Sequence, residues 1–285
     1  MIRLATRLFI LLLLLLPAAG PAQLVAQGRL LLIIDDLGHG IDRGRLEACF
    51  ALPPQVAFSI IPGTARAPSL ARRCARTGRD YLAHLPWEPL REELPAERLL
   101  TPIGCDAGRL AAVLERTRRE LPLMVAANNH QGSRASLDEG FLAAFARAWR
   151  PLVLPFVDSR TVAGSRVPAV LGGAGIPVFE NQLFLDHVDQ DEAILAELAR
   201  LAEIAPGRDL TIAIAHPRPR SLRLLSQWLD RLPEGIVLIS ARDALAAPPA
   251  GRDWLAQAAG WTGPPAPQEA PIPSITLRSP TGDLR

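Results

Sequence analysis

Short apolar runs recur along the middle of the chain, and most are followed by a stretch with the amphipathic spacing of a helix. The runs are RLLLIID (29–35), QVAFSII (55–61), DYLAHL (80–85), LMVAAN (123–128), PLVLPFVD (151–158), IPVFE (176–180) with LFLD (183–186), LTIAIAH (210–216) and GIVLIS (235–240). Between them lie DAGRLAAVLERTRREL (106–121), LDEGFLAAFARAWR (137–150), QDEAILAELARLAEIA (190–205) and SLRLLSQWLDRL (221–232). A strand that is apolar on both faces has to be covered on both faces, which a parallel sheet with crossover helices provides. Seven or eight such units predict an α/β fold, a deformed parallel (β/α) barrel of seven or eight strands rather than an open sheet.

The two ends differ in character. Residues 1–26 open with two arginines, run through an apolar core from Leu8 to Leu16 and continue with Pro and small residues. That order is the pattern of a secretory signal, and its apolar core is shorter than the roughly 20 residues a membrane span needs. Export to a Gram-negative periplasm is expected, with cleavage after Ala22 or Ala26, or with the segment kept uncut as an anchor. No other membrane contact is expected. Residues 27–247 form the expected barrel domain. From 248 to 285 the chain is rich in Pro, Gly and Ala without periodicity, the composition of a mostly disordered tail.

Charge and motif content remove several function classes. All 31 basic residues are arginine; they are spread along the chain and balanced by 29 acidic ones, so no nucleic-acid footprint is expected. No GxGxxG follows the first run, and a chain without lysine has no Walker A motif, which weakens nucleotide-binding readings. Cys49, Cys74 and Cys105 match no zinc spacing and are too few for a disulfide framework. Buried thiols are expected, with a Cys49–Cys74 pair left open for an oxidising compartment.

In a parallel barrel, side chains at the carboxyl ends of the strands converge on one mouth. Asp35-Asp36 ends the first run, His84 lies at the end of the third, and Asn128-Asn129-His130 follows the fourth. Asp158 ends the fifth, Asp186-His187 the sixth and His216 the seventh. Taken singly, each has an ordinary explanation: an Asp caps the next helix, a His packs in the core, an Asn makes a turn. Those explanations do not account for the joint placement. Two adjacent carboxylates resist joint ionisation unless a cation or a proton intervenes. One Asp, two His and a water satisfy a divalent ion such as Zn²⁺, which acidifies that water, and a second carboxylate can take up the proton. The doublet therefore reads as one metal-holding aspartate beside a base, and the chain reads as a hydrolase.

IIDDLGHG, HLPWEP, NNHQGS, VDSRT, FLDH and IAHPRP, in this order and within residues 29–245, resemble the divergent polysaccharide deacetylase family of exported bacterial proteins. That family is similar to the NodB-type carbohydrate esterases, deformed βα barrels. The resemblance implies metal-dependent removal of acetyl groups from a glycan, here an envelope polysaccharide or peptidoglycan. It assigns Asp35 as catalytic base, Asp36 and His84 as metal ligands, His216 as the acid and Asp158 as the carboxylate that orients His216. Two features depart from the superfamily pattern. Glu88 stands where the second metal histidine is expected, and NNHQGS replaces an Arg-x-Pro-Tyr motif. His130 is expected to supply the missing ligand, with Glu88 as its rival or as a substrate contact. Asn129 and Ser133 are candidates for polar contacts to a sugar or to an oxyanion. The departures keep two other readings open: a catalytically silent glycan-binding or scaffold protein on the same barrel, and a metal hydrolase for another ester or amide.

Overall fold

The computed structural model describes residues 27–91 and 101–246; the expected signal segment and tail lie outside them. In chain order the elements are β1 (Gly28–Leu37), α1 (Arg43–Ala51), β2 (Ala57–Ile60), α2 (Ala67–Arg76), β3 (Tyr81–Trp87) and α3 (Ala107–Glu120). They continue with β4 (Ala126–Gln131), α4 (Glu139–Trp149), β5 (Phe156–Asp158), α5 (Val167–Gly173), β6 (Val178–Glu180) and β7 (Leu183–Phe184). The last are α6 (Asp191–Ile204), β8 (Thr211–Ala215), α7 (Pro219–Leu229), β9 (Ile236–Leu238) and α8 (Ala241–Leu245). None of the described helices is long and apolar enough to cross a membrane.

The strand pairings are parallel, in the order β6-β5-β4-β3-β2-β1-β8-β7, with β9 joined to the first residues of β1. The sheet curls into the expected deformed barrel. Successive residues of a strand point to opposite faces, and here the two faces feed two cores. Leu30, Leu32 and Ile34 pack outward among helix residues such as Cys49, Leu70 and Leu222. Leu31 and Ile33 join Ala57, Leu82, Ala126, Val157, Phe179, Ile212 and Ile214 in an inner cluster, which Ala241, Ala244 and Leu245 of α8 complete. Burial on both faces explains why the strands read as unbroken apolar runs.

Local chemistry sets the element boundaries. Asp42, Asp106 and Asp138 each accept the backbone N–H three residues on, at 2.7–2.8 Å, and so start α1, α3 and α4. Such a cap contributes about 1 kcal/mol. The run at 151–158 forms a strand only from Phe156, because Arg150–Leu152 is a 3-10 turn and Val153 is left-handed at φ 53°. Trp87 stacks on Phe156 at 5.1 Å and meets Phe145 edge-on at 4.9 Å, which clamps β3 and β5 to α4. The seam is closed by Asn181 and Gln182, which carry the chain from β6 on one edge to β7 on the other. Asn181 N–H donates to Asp158 O (2.9 Å), and Gln182 N–H donates to Ile212 O (3.0 Å). The thiols follow expectation: Cys49, Cys74 and Cys105 are free, and burial pushes the first two up to about 12.

Candidate metal centre and active site

The carboxyl ends of the inner-facing rows are polar where their lower parts are apolar. Counting on by two from Ile33, Ala57, Leu82, Ala126, Val157 and Ile214 reaches Asp35, Ser59, His84, Asn128, Ser159 and His216. One further step along β4 reaches His130. The site is this polar layer on top of the inner core.

Asp36 is the exception, and the backbone explains it. In a regular strand it would point away from Asp35. Instead it sits at φ 60°, in the left-handed region, where the β1–β2 register slips between Ile34 and Leu37. Asp is among the few side chains that tolerate this conformation. The kink turns both carboxylates to one side, and His84 Nε2 lies 3.1 Å from Asp36 Oδ1 and 3.6 Å from Asp35 Oδ2. His130 Nδ1 approaches the same Asp36 oxygen at 2.8 Å. One ligand atom from each of Asp36, His84 and His130 falls within 4.8 Å of the others. Donors held at about 2.0–2.2 Å on one tetrahedral ion lie roughly 3.3 Å apart. A carboxylate and two imidazoles at these separations fit zinc or a similar divalent ion.

Asn128, fully buried, is the hub beneath the three. Its Oδ1 accepts from His84 Nδ1 (2.9 Å) and from Ser59 Oγ, and its Nδ2 donates to both oxygens of Asp35 (3.0 and 3.1 Å). Keeping the proton of His84 on Nδ1 leaves Nε2 to face Asp36, the outer support that liganding histidines usually have. On the opposite side, His216 Nδ1 donates to Asp186 Oδ1 (2.8 Å), and its Nε2 lies 3.8 Å from Asp36 Oδ2. Asp186 is fully buried and also accepts from His216 N–H (2.8 Å) and Ser221 Oγ (2.6 Å).

The charges follow these contacts. Burial alone would raise Asp36, but hydrogen bonds with His130 and His84 reverse this and hold its carboxyl well below the usual range. Burial raises Asp35 against the pull of His84 and His216. Burial pulls His84 and His216 down, yet both end up raised, His84 by Asp35 and Asp36 and His216 chiefly by its bond to Asp186. A carboxylate and an imidazole that are both raised from their ordinary values, Asp35 and His216, thus flank Asp36.

Several expected roles are corrected. Asp158 does not orient His216. With Val157 pointing inward, Asp158 points the other way, and its Oδ1 accepts from Arg160 N–H (2.9 Å). Asp186 takes that part, in step with Phe184 below it. Glu88 is absent from the ligand group, because its carboxylate accepts from Ile103 N–H (2.8 Å) and pairs with Arg134 (3.1 Å). Asn129 is fully buried and stitches β4 to β5, accepting from Ser159 N–H (2.9 Å). Ser133 Oγ accepts from Leu90 N–H (2.9 Å) and braces a loop. Asn128 and Asp186 are the residues that strand-end reasoning undervalued. Parity along each strand was the signal that could have singled them out.

A cavity of about 370 Å³ opens over this layer, and Asp36, His130 and His216 line it together with His39, Arg45 and Arg218. A family profile described as divergent polysaccharide deacetylase matches residues 32–245. The uncharacterized protein YibQ of Escherichia coli K12 is 28% identical over 225 residues, covering 79% of this chain and 69% of that protein. An uncharacterized protein of Haemophilus influenzae is 28% identical over 214 residues, covering 75% of each. Among solved structures, an uncharacterized protein of Agrobacterium tumefaciens C58 superposes with a TM-score of 0.71 at 20% identity, over 76% of this chain and 89% of that one. That likeness is one of fold.

Proposed function

The chain belongs to the divergent polysaccharide deacetylase family, and on that premise we propose that it is an exported, metal-dependent hydrolase that removes acetyl groups from an envelope polysaccharide or peptidoglycan. The observation that carries the reading is the convergence of Asp36, His84 and His130, with Asp35 and the Asp186-held His216 on either side. Asp36, His84 and His130 would hold a divalent ion such as zinc. When bound, that ion supplies Lewis-acid polarisation of the acyl oxygen and lowers the pKa of water.

The side chains supply the proton transfers. Asp35, contacted at both oxygens by Asn128 Nδ2 and raised by burial, takes the proton of the attacking water. As the hydroxyl adds to the acyl carbon, the bond from that carbon to the sugar nitrogen or oxygen breaks. His216 presents Nε2 toward the site and gives its proton to the departing amine or alkoxide, and acetate is the other product. Asp186 keeps His216 in the required tautomer and stabilises its charged form. Export rests on the charged-apolar-small order of residues 1–26.

Elemental analysis of wild type, Asp36→Ala and His84→Ala tests the ligand set, and acetate release from acetylated chitooligosaccharides and peptidoglycan tests the reaction. The expected result is about one metal ion per wild-type chain, little in either variant, and acetate release that follows the metal. A folded chain that takes up no metal when supplied with zinc overturns the enzyme reading in favour of a scaffold. Metal without acetate release from any glycan redirects the reading to another ester or amide.

A further inference from the structure

Resting on the deacetylase reading, we propose that the glycan this site handles is acidic and that Arg218, assisted by Arg45, receives a sugar carboxylate beside the acyl group. The cavity lining includes the guanidinium groups of Arg45 and Arg218 as well as His39, and Asp36 is the only carboxylate among the described residues that line it. Asp36 is already engaged by His84 and His130. No Trp, Tyr or Phe is among those lining residues, so the flat apolar surface that commonly holds a neutral ligand is missing from them.

Arg218 carries the argument. It is half-buried two residues after His216, and its backbone N–H bonds His216 O at 2.8 Å, which ties it to the acid. Its Nη1 donates to the carbonyl of Asp186, a neutral group, and no carboxylate among the described residues pairs with it. A half-buried charge whose side-chain partner among the described residues is a carbonyl is poorly compensated. A guanidinium has five donors in a planar fork that matches a carboxylate, so most of its capacity remains for a ligand. Arg45 differs: its Nε pairs with Asp42 at 2.7 Å and its Nη2 donates to Gly40 O. Its charge is partly spent, and the role assigned to it is secondary.

The test compares two N-acetylated hexasaccharides on the metal-loaded full chain, neutral chitohexaose and a hyaluronan hexasaccharide in which glucuronate alternates with N-acetylglucosamine. An O-acetylated pair, xylohexaose and hexagalacturonate, covers an ester preference. The expected result is a kcat/KM at least tenfold higher for the acidic member of a pair. Arg218→Gln should cut that ratio by about 10- to 100-fold, mainly through KM, as loss of a charge-assisted contact does. Arg45→Gln should cut it less, and Arg220→Gln, which lies outside the cavity in ion pairs with Asp189 and Asp191, should leave it unchanged. No acidic preference, or a ratio untouched by Arg218→Gln, overturns the inference. Hydrolysis of 4-nitrophenyl acetate reads the deacetylase chemistry separately. If that chemistry is absent, calorimetry of unacetylated hexagalacturonate with metal-free wild type and Arg218→Gln still decides: equal or no binding refutes the inference, and Arg218-dependent binding supports it.

Discussion

Replacing Asn128 by alanine probes the centre of the site from beneath. The side chain is fully buried and satisfies His84 Nδ1–H, Ser59 Oγ and both oxygens of Asp35. Ser59, His84 and Asp35 are themselves at most 2% exposed, so none of them can turn to bulk water. A buried polar group left without a partner costs about 1–3 kcal/mol, and three groups would cost roughly 3–9 kcal/mol if nothing moved. The missing amide leaves space of the order of one water, and that water can re-satisfy part of the set. The expected net loss is therefore about 3 kcal/mol. Freed from its anchor, His84 also loses its fixed tautomer, and loss of such support weakens metal binding about 10- to 100-fold. Urea unfolding of the metal-free protein, followed by tryptophan fluorescence, reads the first quantity. Competition with a chromophoric chelator reads zinc affinity. A loss under about 1 kcal/mol together with unchanged zinc affinity would refute the claim that this asparagine holds the site together.

Other substitutions test separate links. Asp35→Asn should keep bound metal and lower kcat by about 10²-fold or more, as removal of a general base does; metal content and turnover on the same preparation check this. Asp186→Asn should lower the His216 titration from its raised position, while Asp158→Asn should leave it in place, as a histidine-resolved NMR titration of the metal-free protein would read. Asp186 also links stability to pH: its folded carboxyl lies below its ordinary value, so its contribution is complete above about pH 4 and fades as pH falls through the lower folded value. Wild type should accordingly lose stability faster than Asp186→Asn in strong acid. Gly28→Ala should destabilise by about 2 kcal/mol or more, because a Cβ there would lie 1.9 Å from the backbone oxygen of Ala205, which cannot swing aside; thermal unfolding checks it.

Much of the architecture was legible because most of the strands are buried on both faces, so each of these appears as an apolar run whatever its register. The convergence of Asp36, His84 and His130 was legible as well, since all three stand in the carboxyl-terminal halves of their strands. What proximity to a strand end could not decide was direction. Asp158 ends a strand and Asp186 closely follows one, and only alternation counted from Val157 and Phe184 separates the outward carboxylate from the inward one. The same count separates Asn128 from Asn129. Asp36 breaks the count, because its left-handed backbone is a departure from strand geometry that no periodicity displays. Glu88 was misjudged for another reason: its neighbours Ile103 and Arg134 are distant in sequence, and they claim its oxygens only once the loops have met.

The bend at residue 36 makes that position answerable to two unrelated demands. The main chain there admits glycine, asparagine and aspartate readily and most other types only at a cost, while the pocket asks for an anionic oxygen on a short stem. Aspartate alone meets both. Glutamate would keep the charge yet strain the backbone, and asparagine would keep the backbone yet surrender the charge. A carboxylate could not be shifted one place along β1 either, for without the bend its neighbour's side chain would turn away from the mouth.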